Sequence, residues 1–196
     1  NNILNGLDGY ILRVGNLMNR FTDGKFQPNV NENAYINRLI SYYKIGCIPN
    51  YLLDGYLELT PVDCCANAIL KILQYNSKTN RIFHLLNHKT IDIYRFINIL
   101  NKFYDKISIV NNETFLKTID KILNNPYSND ILSGIINDFD ENRKIVYSSP
   151  VKIKSGFSIK YLNKVGFDWP ELDEDYIKKF LDFFYNLNYF KRKDDV

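Results

Sequence analysis

The chain has 196 residues, 45% hydrophobic and 24% charged, a balance that excludes a disordered tail and is long enough to bury a core. Its net charge is only +3, with basic residues scattered, so it lacks the basic stripe of a nucleic-acid binder; no apolar run approaches the ~20 residues of a membrane span. Its start lacks the basic-then-hydrophobic pattern of a signal peptide, and Cys47, Cys64 and Cys65 are an odd set without Cys-x-x-Cys spacing, which points to a reducing cytosol.

The first predicted element is a buried strand, Leu7 to Gly15, β-rich and closed by glycine. A central-looking strand this early is expected of a chain that starts inside a larger fold. Residues 16–31 are polar, with Gly24 and Pro28 marking a long functional loop. A helix is expected over about 32–45, with Ile36, Leu39, Ile40 and Tyr43 on one face and Gly46 as its stop.

Leu57 to Leu59 reads as a short strand. It leads into Thr60-Pro61-Val62-Asp63, where Thr60 suits a helix cap, Pro61 a first turn and Asp63 a capping box. That helix is expected to bury Val62, Cys65, Ala66, Ile69, Leu70 and Leu73. A strand over 81–86 follows, and then a helix capped by Thr90 that carries Ile93, Phe96, Ile97 and Leu100. The alternation of strand and helix implies a parallel sheet flanked by helices.

The second half is richer in helix. A strand over 107–110 precedes expected helices over 113–124 and 128–138. Ile145 to Tyr147 reads as a short strand, followed by a helix capped by Ser158 and stopped by Gly166. A last helix over about 173–188 stacks Tyr176, Ile177, Phe180, Leu181 and Phe184. The terminal Lys191-Arg192-Lys193 beside Asp194 and Asp195 reads as a solvated tail. The chain is expected to be a single unit of the α/β class. Residues 1–105 form the end of a Rossmann-like, few-stranded, mostly parallel sheet, and 106–196 a mostly helical cap.

Chemical motifs are scarce. Gly6 and Gly9 have the first spacing of a dinucleotide fingerprint, but position 12 is Leu and the run enters a strand instead of a helix. Tyr189 and Lys193 match Tyr-x-x-x-Lys only within the charged tail, where chance explains the spacing. His84 and His88 straddle a strand end without a third ligand, which reads as structural. Asp138 to Glu141 lacks the glycine and spaced oxygens of a calcium loop and reads as a solvated turn. No catalytic residue and no metal ligand is expected.

The densest signal runs from Arg13 to Asn29, Arg-Val-Gly-Asn-Leu-Met-Asn-Arg-Phe-Thr-Asp-Gly-Lys-Phe-Gln-Pro-Asn. Ordered segments follow: Asn33, Ile48-Pro49, Glu58 to Asp63, Tyr161-Leu162, and Gly166-Phe167-Asp168-Trp169-Pro170. The combination resembles extended short-chain dehydrogenases, and within them the C-terminal, substrate-side part of the thioester reductase domains of nonribosomal peptide synthetases.

The resemblance implies that Val14, Gly15 and Asn16 hold the nicotinamide end of NADPH, with Gly15 allowing a flat ring to approach. It also implies that the loop containing Arg20, Asp23, Phe26 and Gln27 lines the substrate channel, with Arg20 facing a phosphate. Asp63 is carried over only as a helix cap. The implied partners are a peptidyl or acyl carrier protein with its phosphopantetheine arm and a missing N-terminal Rossmann half. The implied reaction is reductive release of a carrier-bound thioester as aldehyde or alcohol. The family's phosphate-binding glycines and Tyr/Lys pair have no counterpart here, so the chain alone is expected to be inactive and to bind NADPH weakly at best. An exposed first strand would favour self-association. The alternatives are another extended short-chain dehydrogenase, such as a nucleotide-sugar epimerase or a carboxylic acid reductase, and a non-catalytic carrier-protein docking module.

Overall fold

The computed structural model describes residues 9–27, 29–75, 81–146 and 153–193. Its elements in chain order are β1 (Ile11–Val14), β2 (Leu17–Met18), α1 (Ala34–Ile45), β3 (Cys47–Pro49), β4 (Tyr56–Leu57), β5 (Thr60–Pro61) and α2 (Val62–Tyr75). Then come β6 (Ile82–Leu85), β7 (Ile91–Asp92), α3 (Ile93–Phe103), β8 (Ser108–Val110), α4 (Asn112–Leu123), α5 (Gly156–Lys164) and α6 (Glu174–Asn186). The class is mixed α/β, and the pairs β1 with β6, β2 with β5 and β3 with β8 are all parallel. The described residues fall into two compact units, one of 9–23, 58–75, 81–91 and 153–172, the other of 24–27, 29–57, 92–146 and 173–193.

In the first unit β1 and β6 run in register from Ile11 opposite Ile82 to Val14 opposite Leu85. Phe83 and Leu85 point from β6 into a core shared with Cys65, Ala68 and Ile72 of α2, Leu162 of α5, and Phe167 and Trp169 beyond it. Full burial of each large side chain contributes about 1.5–3 kcal/mol. Phe167 meets Trp169 edge-on at 5.1 Å, as Phe83 meets Tyr161.

Three expectations change here. Cys65, Ala68 and Ile72 face the core, while Val62, Leu70 and Leu73 are 40%, 55% and 52% exposed and Ala66 is exposed too. The small side chains let α2 lie close to its neighbours, and that choice turns the leucines outward. The expected strand from Leu7 is described only as β1, residues 7 and 8 lying outside the described residues. It is not buried: Ile11 and Val14 are 42% and 46% exposed, because β6 is its only strand partner among the described residues. Ser158 lies inside α5, whose N-cap position is Ser155; its buried hydroxyl accepts from the His84 N–H at 2.8 Å.

The second unit follows its sequence pattern more closely. Asn33 caps α1 by accepting from the Ile36 N–H at 3.2 Å, and Gly46 ends it at φ 76°, a left-handed turn suited to glycine. Asp173 caps α6, and Tyr176, Ile177, Phe180, Leu181 and Phe184 are all buried, as their spacing predicts. Helix α3 is capped by Asp92, accepting from Arg95 N–H at 2.6 Å, and not by Thr90.

Instead of a helix over 128–138 there are two short 3-10 turns, Pro126–Ile131 and Ile136–Asp138. Gly134 lies between them against the Asn37 carbonyl, where a Cβ has no room. The expected strand at 145 reduces to one antiparallel bridge, Phe139 with Ile145, and Tyr147 lies outside the described residues. The basic tail is not simply solvated. Arg192 pairs with Asp182 at 2.6 Å and lies 4.3 Å over the Tyr185 ring.

Candidate functional site

The two motif segments that stand out in the sequence, the stretch after β1 and Glu58 to Asp63, meet in the first unit. β1 ends at Val14 and β6 at Leu85. The Gly15 N–H continues the ladder by donating to the Leu85 carbonyl at 2.8 Å. The chain then turns at Gly15-Asn16, and the Asn16 carbonyl accepts from the Thr60 N–H at 2.9 Å as β2 pairs with β5. The turn therefore sits at the carboxyl ends of two parallel strands, the place where open α/β sheets hold ligands.

Beneath it lies the Glu58 side chain. Its Oε2 accepts from the Asn16 N–H at 2.8 Å, and its backbone carbonyl accepts from Asn16 Nδ2 at 3.3 Å. Its Oε1 accepts from the Thr60 hydroxyl, which in turn accepts from the Asn87 N–H at 2.8 Å. Asn87, fully buried, donates from Nδ2 to the Pro170 carbonyl at 3.1 Å and accepts from the Lys89 N–H at 3.0 Å. Burial raises the Glu58 carboxyl above the ordinary glutamate value, against the opposing pull of the Asn16 and Thr60 hydrogen bonds.

Gly15 is required by this packing. A Cβ there would lie 2.6 and 2.8 Å from the Glu58 carboxylate oxygens and 2.8 Å from Leu86 Cβ. The glycine thus admits the protein's own carboxylate and leucine, a closer cause than the approaching ring expected from sequence. Val14, Asn16 and Leu17 are exposed on the turn.

Asp63 holds the next part of the loop. Its Oδ1 accepts from the Phe21 N–H at 2.8 Å and the Cys64 N–H at 3.0 Å. Its Oδ2 accepts from the Thr22 N–H at 3.2 Å and the Thr22 hydroxyl at 3.0 Å. Neither Thr60 nor Asp63 forms the capping box expected of them. Thr60 bridges Glu58 to Asn87, and Asp63 anchors residues 21 and 22.

Of the remaining candidate residues, Arg20 and Asp23 belong to the first unit and pair with each other at 3.4 Å, both exposed. Phe26 and Gln27 belong to the second. Phe26 packs 6.3 Å from Phe183 and 6.1 Å from Phe184, and Gln27 is exposed. The sequence marked Glu58 and Thr60 only as part of a motif segment, with Thr60 read as a helix cap, and gave no sign of their hydrogen bonds or of Asn87.

Among the described residues no group of three or more His, Cys, Asp and Glu side chains is placed to hold a metal ion, and no helix is long and apolar enough to cross a membrane. The thiols of Cys64 and Cys65 are pushed up by burial to about 12 and about 11, too high for a nucleophile at neutral pH. Among the described residues the turn exposes Val14, Asn16 and Leu17, none of them an acid, base or nucleophile.

No family model matches the sequence, and no curated protein matches it significantly. Solved structures do. A thiolation-reductase di-domain from an archaeal nonribosomal peptide synthetase is 29% identical with a TM-score of 0.79, covering 96% of this chain and 38% of that one. The terminal R domain of the myxalamid PKS-NRPS pathway is 20% identical, with a TM-score of 0.71 over 92% of this chain and 44% of its own. The reductase domain of the aureusimine biosynthetic cluster is 19% identical, with a TM-score of 0.69 over 95% of this chain and 46% of its own. The chain therefore has the fold of the reductase domains of nonribosomal peptide synthetases. It spans less than half the length of each of these structures, which fits a C-terminal part of such a domain.

Proposed function

We propose that this chain is the substrate-side portion of an NADPH-dependent thioester reductase, which releases a carrier-bound peptidyl or acyl thioester as an aldehyde or alcohol. The observation that carries this reading is the Gly15-Asn16 turn, fixed by Glu58 at the carboxyl ends of β1 and β6. NADPH, when bound, supplies the hydride that reduces the thioester carbonyl. In this reading Val14, Gly15 and Asn16 orient the nicotinamide end. Arg20, with Asp23 beside it, meets a phosphate of the cofactor or of the phosphopantetheine arm, while Phe26 and Gln27 border the substrate channel. The fit is one of shape: the turn exposes Val14 and Asn16 and buries its carboxylate underneath.

The sequence contains neither the phosphate-binding glycines nor a credible Tyr/Lys pair. A Rossmann half and a carrier protein are therefore the proposed partners, and the chain alone is proposed to be inactive. The edge of β1 away from β6, which has no strand partner among the described residues, is where that half would pack, and it also favours self-association.

The test is thioester-dependent NADPH oxidation by a complete domain that carries this chain. Arg20→Ala is expected to lower kcat/KM for the carrier-bound thioester by about tenfold, the worth of one charge-assisted phosphate contact. A complete domain that oxidises no NADPH with any carrier-bound thioester would sink the proposal.

A further inference from the structure

We propose that Glu58 is the positioning residue of this site, a carboxylate that locks the backbone of the Gly15-Asn16 turn to that of Asn87 and so gives the ligand-facing turn one conformation. The inference adds a residue to the cofactor face and rests, for the identity of the ligand, on the reductase reading.

Glu58 uses both carboxylate oxygens. Oε2 takes the Asn16 N–H at 2.8 Å, and Oε1 takes the Thr60 hydroxyl, whose oxygen takes the Asn87 N–H at 2.8 Å. Gly15-Asn16 follows β1 and Leu86-Asn87 follows β6. Glu58, acting through the Thr60 hydroxyl, therefore ties together the two strand ends, where the pleated ladder itself stops.

Without Glu58, the Asn16 N–H would be free to turn towards solvent and the Thr60 hydroxyl would lose its acceptor. The glycine that admits the carboxylate would then be the loosest point of the turn. A loose turn must be ordered by its ligand, and that ordering subtracts from affinity. Positioning by Glu58 therefore shows first in KM for the dinucleotide. No reacting atom is touched, so kcat changes less.

The chemistry required of the side chain is geometric. A glutamine at 58 can accept the Asn16 N–H on its oxygen and donate from its amide nitrogen to the second lone pair of Thr60 Oγ1. Gln thus preserves both links, whereas Ala removes both.

The experiment compares wild type, Glu58→Ala and Glu58→Gln in the complete domain. It measures KM for NADPH, kcat, and hydrogen exchange at the Asn16 and Asn87 amides. Glu58→Ala is expected to speed exchange at both amides and raise KM by about tenfold, the effect of losing one charged hydrogen bond. Its kcat is expected to stay within about threefold, and Glu58→Gln to restore all three to near wild type. Unchanged exchange and KM in Glu58→Ala would overturn the proposal, as would a folded Glu58→Gln as impaired as the alanine variant.

If Glu58→Ala does not fold, Thr60→Val serves instead. It removes the hydroxyl that donates to Glu58 and accepts from the Asn87 N–H, so faster exchange at Asn16, whose N–H bonds Glu58 and not that hydroxyl, supports the lock and unchanged exchange there refutes it. A wild type that oxidises no NADPH defeats the reductase reading alone, because the exchange measurements still decide the role of Glu58.

Discussion

Asp63 and Glu58 lie on one short segment, yet their surroundings shift their protons in opposite directions. For Asp63, burial on its own would raise the carboxyl, but the hydrogen bonds from the Phe21 and Thr22 amides and the Thr22 hydroxyl outweigh it and hold the group below the ordinary 3.8. A lowered folded-state value means that the unfolded chain takes up the proton first. Asp63 thus contributes stability fully above the ordinary aspartate value, and the contribution fades as pH falls through the lower, folded value. Asp63→Asn is expected to cost about 1–2 kcal/mol at pH 7, reduced by partial exposure. Urea unfolding should show the gap from wild type closing as pH drops below 3.8. A gap independent of pH would contradict the charged anchor.

For Glu58 the sign reverses. Its raised value favours the neutral form in the fold, so its contribution weakens as pH rises through that value, and the nearby Cys65 thiol is raised in part by the Glu58 charge. These roles were illegible in the sequence because the partners are distant. Asp63 reads locally as a cap, whereas it accepts from residues 21 and 22, more than forty positions away. Gly15 was legible as a required glycine, but its cause, the Glu58 carboxylate and Leu86 beneath it, was not.

At the scale of elements, α6 shows what a clean period conveys. Its buried stripe and its Asp173 cap are both local signals, and Phe184 meets Phe180 at 4.9 Å and Phe190 at 5.9 Å within the second unit. Phe184→Ala is expected to cost about 3–5 kcal/mol, because the ring is fully buried and its aromatic neighbours cannot collapse into the space. Thermal unfolding checks this; a loss under about 1 kcal/mol would mean that the cluster is not a core.

Helix α2 is the opposite case. Apolar residues occur on two of its faces, so periodicity was right for Cys65 and for Ile69, which packs against the core, but set Val62, Leu70 and Leu73 inward where Ala68 and Ile72 are buried instead. The segment 128–138 failed for a different reason. Gly134 must lie against the backbone of Asn37, a contact that no window of local sequence contains.

For the molecule as a whole, the α/β class and the parallel pairing were legible from the alternation of strands and helices, and the reductase resemblance from the order of its segments. The interleaved division into two units was not, since it depends on which distant segments pack together. The chain matches less than half of each solved reductase structure. The central proposal is that this part shapes a cofactor and substrate face and does not by itself hold the cofactor. Calorimetric titration of NADPH into the chain alone and into the complete domain that carries it tests this most directly. The account predicts micromolar binding by the complete domain and none by the chain alone. Micromolar binding by the chain alone, or no binding by the complete domain, would contradict it.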